Sequence, residues 1–160
     1  MTSLRDLAKN GRLGAVYFTM HAERVKEILG APCETGGGSN KYKWENIWLY
    51  GDVELGFERE SRELWHIAIP FYSEGTPTPR SGSISNFDPW IFRQGLLLEE
   101  FLSECNAEGI KVKELTKSLS MDEAVKVFLT EGGMHLVFEG SDSTQEYCLG
   151  KLVASEIELV

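Results

Sequence analysis

Histidine, cysteine and carboxylate side chains at short spacings are where any chemistry in this chain would begin. His21-Ala22-Glu23 followed by Pro32-Cys33 supplies the opening of an H-x-E, P-C-x-x-C zinc constellation, in which the metal needs three protein ligands and one open position. The second cysteine is missing, because Cys33 is followed by Glu34, Thr35 and Gly36. The interval also leaves no room for a helix and a strand between the ligand pairs. His21 therefore reads as a helix-surface residue and Cys33 as a loop residue, and no metal or other cofactor is expected. Gly36-Gly37-Gly38-Ser39-Asn40 is rich in glycine, as a phosphate loop is, but no Gly-Lys-Ser/Thr follows and no helix opens there. His66 and His135 fall at outward positions of two expected strands, with no carboxylate, base and nucleophile assembling around them. Glu54 and Glu58 point the same way along one strand, as paired carboxylates would and as a solvated face would. No catalytic residue emerges, and the chain reads as a non-enzyme.

The stronger signal is aromatic and acidic. Trp44, Trp48, Tyr50, Trp65 and Trp90 gather in the middle of the chain. Trp48 and Tyr50 alternate with apolar residues and share their strand face with Asp52 and Glu54. Aromatic anchors flanked by acids suit a protein-binding patch, since Trp and Tyr supply contact and acids steer a basic partner. With Glu99, Glu100 and Glu104, on the polar side of a later helix, they make the candidate partner-binding set. Two readings of Trp48 and Tyr50 stay open: binding surface, or packing beneath a helix.

Charge narrows the partners. The net charge is −9, and an acidic surface repels phosphates, so nucleic acid is not expected as a ligand. Residues 1–80 hold 10 Lys and Arg against 11 Asp and Glu; residues 81–160 hold 6 against 14. The second half therefore carries nearly all the excess. Three cysteines, Cys33, Cys105 and Cys148, are an odd number without metal-ligand spacing, which fits a reducing cytoplasm rather than a disulfide framework. No apolar run approaches the ~20 residues that cross a bilayer, and the first residues lack the apolar centre of a signal peptide. A soluble cytoplasmic chain with no membrane partner is expected, and a homodimer is compatible with it.

The elements that must position these residues follow from apolar spacing. Leu4 and Leu7 start a short helix that ends near Gly11 and Gly14. A short edge strand or entry loop follows at 15–18. Thr19 is the expected N-cap of a helix over 21–29, which Gly30 closes and Pro32 prevents from resuming. CETGGGSN at 33–40 is a loop by composition. Ile47, Leu49, Gly51, Val53, Leu55 and Phe57 then line one face of a long strand that bends at Gly51. Glu58 to Glu63 is a charged connection, and Trp65, Ile67, Ile69 and Phe71 put a second strand on the core. Residues 73–87 form a linker. Asp88-Pro89 has the form of a helix start, and that helix ends at Gly109. Ile110 to Leu115 is extended. Ser120 to Glu123 fits a capping box, yet alternation from Ala124 favours a strand. A bend at Gly132-Gly133, a strand to Phe138, a hairpin loop at 140–146 and a strand from Tyr147 to Val160 complete the chain.

The halves align. GDVELGFE at 51–58 lies over GGMHLVFE at 132–139, each preceded by a helix that ends at glycine and followed by another apolar strand. The fold expected is one α+β domain over 1–160, a mainly antiparallel sheet with helices on one face. The pattern points to two tandem helix-plus-hairpin repeats, 15–72 and 88–160. The unit in which LGAP closes the helix and WLYGDVELGF opens the sheet resembles the beta-lactamase inhibitor protein fold, and is similar to the immunity proteins of bacterial polymorphic toxin systems, mainly over residues 22–72. That resemblance implies an intracellular, non-enzymatic protein that neutralises a toxin by steric occlusion, with a basic toxin domain as partner. The alternative is a small-ligand or enzymatic domain with its site in a crevice between sheet and helix.

Overall fold

Glycines and charged turns cut the chain into short runs, and each run adopts the form that its apolar spacing favours. The computed structural model describes residues 1–70, 79–115, 125–140 and 146–155. In order they form β1 (Thr2–Ser3), α1 (Leu4–Asn10), β2 (Arg12–Leu13), β3 (Val16–Tyr17), α2 (Ala22–Leu29), β4 (Glu34–Gly36), β5 (Ile47–Tyr50), β6 (Val53–Phe57), β7 (Leu64–Pro70), β8 (Phe87–Asp88), α3 (Leu98–Ala107), β9 (Val112–Glu114), β10 (Val125–Thr130), β11 (Met134–Gly140) and β12 (Tyr147–Ser155). Eight strands make one sheet, β4-β5-β6-β7-β12-β11-β10-β9, and every pair in it is antiparallel. The fold is α+β, as the patterning leads one to expect.

One order of elements occurs twice. Helix α2 precedes the meander β4 to β7, and α3 precedes the meander β9 to β12. The two meanders meet at their last strands, from Ser155 opposite His66 to Lys151 opposite Pro70. The aligned segments at 51–58 and 132–139 occupy the same place in each meander, a turn glycine and the third strand.

Helices cover one face. Tyr50, Val53, Leu55, Phe57, Ile67, Ile69, Leu136, Phe138, Leu152 and Ala154 are buried there with Leu4 and Leu7 of α1, Val25 and Leu29 of α2, and Phe101 and Cys105 of α3, all in one cluster. Burying each of the larger of these side chains contributes roughly 1.5–3 kcal/mol. The other face carries a register row across all eight strands: Glu34, Leu49, Glu54, Ala68, Val153, His135, Leu129 and Lys113. None of these eight belongs to the core cluster or packs against it.

The long bent strand expected at 47–57 is a hairpin. Tyr50 pairs with Val53, and Gly51-Asp52 is its two-residue turn, with Gly51 at φ +61. Partners opposite one another across an antiparallel pair share a face, so the alternation slips by one residue at the turn. Trp48 and Tyr50 join Val53, Leu55 and Phe57 in the core, while Ile47 and Leu49 turn away from it.

Other boundaries also move. The N-cap of α2 is His21, whose Nδ1 accepts the Glu23 N–H at 3.3 Å; Thr19 instead sits at φ +73 with its N–H bonded to Leu64 O. Part of the 33–40 loop is strand β4 at the edge of the sheet. Asp88-Pro89 does not open a helix, because Asp88 Oδ1 accepts the Trp90 N–H, Oδ2 accepts the Ser3 hydroxyl, and Trp90 lies at φ +55. The helix begins ten residues later at Leu98. Of the expected linker, residues 79–87 are a strap laid against the Gly51 turn. The expected capping box at 120–123, Phe71, the first part of the linker, most of the loop at 140–146 and the strand end beyond Ser155 lie outside the described residues.

Candidate functional site

The seven candidate partner-binding residues do not come together. Trp48 is 6% exposed and Tyr50 is fully buried. The Trp48 indole N–H donates to Glu45 O at 3.0 Å, and the Tyr50 hydroxyl donates to Gly30 O at 2.9 Å. Burial, with Cys33 beside it, pushes the Tyr50 phenol up to about 12. These two aromatics are core, so of the two readings open for them packing is the one the structure shows. Asp52 is occupied from within: its carboxylate accepts the Arg80 backbone N–H at 2.6 Å, Nε at 3.1 Å and Nη2 at 3.0 Å. Those Arg80 contacts hold its pKa below the usual carboxylate range. Glu99, Glu100 and Glu104 stand on α3, across the core from the sheet face that none of the described helices covers, and Glu100 is paired with Arg93 at 2.9 Å. Glu54 alone of the seven stands on that face.

Glu54 has partners that spacing did not select. In the β6–β7 pair Gly56 opposes His66 and Phe57 opposes Leu64, which leaves Trp65 with no residue opposite. Such a bulge re-aims a side chain. Trp65, expected in the core with Ile67 and Ile69, is instead 50% exposed. Its ring meets the neighbouring His66 ring edge-on, with centres 4.3 Å apart. The His66 ring lies over Gly56, where a Cβ would collide with it. Its Nε2 donates to Glu54 Oε1 at 3.1 Å, so the buried Nδ1 is left without a partner.

Beside Trp65 a shallow cleft of ≈ 360 Å³ is lined by Asn46, Phe57, Glu58, Arg59 and Trp65. Glu58 belongs to the β6–β7 turn, not to a carboxylate pair with Glu54. Its Oε2 accepts the N–H groups of Glu60 at 2.8 Å and Ser61 at 3.2 Å, and these bonds lower its pKa. Arg59 is turned onto the Tyr42 ring, 5.2 Å from its centre.

The remaining sequence candidates are dispersed. His66 and His135 share the uncovered face, but β12 runs between their strands. His21 caps α2, and Cys33 is exposed next to Gly82. Among the described residues no three of His, Cys, Asp and Glu are grouped as metal ligands, and no helix is long and apolar enough to cross a membrane. Sequence could have found part of this. Gly-Asp between two apolar runs is a two-residue hairpin signature, and reading it so moves Trp48 and Tyr50 to the core. Nothing in the sequence marks the bulge that turns Trp65 outward. No family model, curated protein or solved structure matches the chain.

Proposed function

We propose that this chain is a protein-binding module of the immunity type, which neutralises a toxin by docking on it and occluding its active site. The observation that carries the reading is Trp65, half exposed beside His66 and Glu54 on the sheet face that the core cluster leaves uncovered. A large aromatic held outward on rigid strands is what a binding anchor needs: much contact area and little entropy left to lose. The net charge of −9 favours a basic partner and speeds its approach. The helix–sheet order that resembles the immunity proteins supports the same reading.

The test is co-expression with the product of the gene next to its own. A toxic product whose effect this chain abolishes, with affinity that falls by about 2 kcal/mol or more in Trp65→Ala, is the expected result. A harmless neighbour, or toxicity that the chain leaves unchanged, removes the proposal.

A further inference from the structure

Four of the partly or fully exposed aromatic rings lie under cations. Tyr17 lies under Arg12, Tyr42 under Lys41 and Arg59, Trp44 under Arg62 and Tyr147 under Lys126, each cation 4.6–5.5 Å from the ring centre. Among the described residues the two exposed aromatics are Tyr17 and Trp65, and Trp65 has no such cation. Its ring contact is with His66, at a steep angle between the planes, and half of the residue stays exposed. Tryptophan attracts cations more strongly than tyrosine or phenylalanine does, so of the two exposed rings the one without a cation is the type better suited to one.

The cleft supplies the rest of a cation site. Glu58 lines it together with Trp65. Glu58 Oε2 accepts the N–H groups of Glu60 and Ser61, and the Arg59 N–H and charge also act on the carboxylate; with roughly four acceptor positions, it can take a further donor. Arg59, the cleft's own cation, is drawn over Tyr42 with Nη1 shut away from solvent, and it does not lie over Trp65. Glu54, the other nearby carboxylate, receives His66.

We propose that the Trp65–Glu58 cleft receives one cationic side chain, an arginine or lysine, from the protein partner. The charge lies over the indole face while its N–H groups donate to Glu58. This rests on the protein-binding reading above and narrows its partner to one that projects a cation from its surface.

The full chain, labelled at its four indole nitrogens, would be titrated with acetyl-arginine methylamide, acetyl-lysine methylamide and the neutral acetyl-citrulline methylamide. The Trp65 resonance, assigned by its loss in Trp65→Phe, is expected to shift saturably with at least one cationic probe and several-fold less with citrulline. Glu58→Gln should weaken that response several-fold. An equal response to citrulline, shifts confined to the other tryptophans, or no saturable shift at tens of millimolar overturns the cation site. The growth assay decides the other question separately. A chain that protects cells without a cation response keeps the protein-binding reading and loses this site; a response without protection keeps the site and loses that reading.

Discussion

Gly56 is small because His66 lies on it. A methyl group there would meet the imidazole ring, so Gly56→Ala must push the ring aside and break its contact with Glu54. Overpacking of this kind costs about 1–3 kcal/mol, and denaturant unfolding should show that loss together with a changed environment for Trp65. Asp52 makes a prediction of a different form. Its pKa is lowered in the folded state by Arg80, so its contribution to stability is present in full above the unfolded-state value of about 4 and is lost as the pH falls through the lower folded value. The stability difference between the wild type and Asp52→Asn should therefore be flat at neutral pH and vanish in acid. A difference that grew toward low pH would contradict the assignment. At this scale the sequence was informative about type and misleading about direction. That aromatics alternate along these strands was legible, but Trp48 and Trp65 exchange places because a turn and a bulge each displace the alternation by one residue, and a one-residue slip reverses every face.

Elements were more legible than their ends. Helices α1 and α2, the extended piece at β9, the strands β10 and β11 and the break at Gly132 all sit where apolar spacing puts them, since burial of one face decides each. Helix α3 shows what spacing leaves open. Asp88-Pro89 is a good helix start in isolation, yet β8 pairs with β1 and draws both Asp88 oxygens into other bonds. The helix that does form has leucine at its N-cap and borrows a cap from inside: the Leu97 N–H donates to Glu100 Oε2 at 3.1 Å, and Arg93 steadies the same carboxylate. Glu100→Ala should therefore cost about 0.5–1 kcal/mol. Hydrogen exchange is expected to quicken in the first turn of α3 before the rest of the helix; an unchanged first turn would deny Glu100 this role.

Across the whole molecule the two meanders meet edge to edge, and each has its third-strand turn pinned by a distant backbone. Gly51 has Arg80 O 2.5 Å and Gly82 N 2.6 Å from where a Cβ would stand. Gly132 faces the end of α1, with Ala8 O 2.7 Å from the same point and its own N–H bonded to Ala8 O at 2.9 Å. Backbone cannot move aside as a side chain can, so Gly132→Ala should cost roughly 2–3 kcal/mol and release α1, read as lost amide protection over residues 4–10. The docking of α1 also bears on how the chain comes into being. Its distant hydrogen-bond partners are Asp88 through Ser3, Glu108 through Arg5 and Lys9, and Gly132 through Ala8, all of them in the half translated second. A seven-residue helix is too short to hold its shape alone, so once synthesised it waits for these bonds until roughly 120 more residues have followed. Residues 1–72 made alone would carry the helix without these bonds, and 88–160 the bonding groups without the helix.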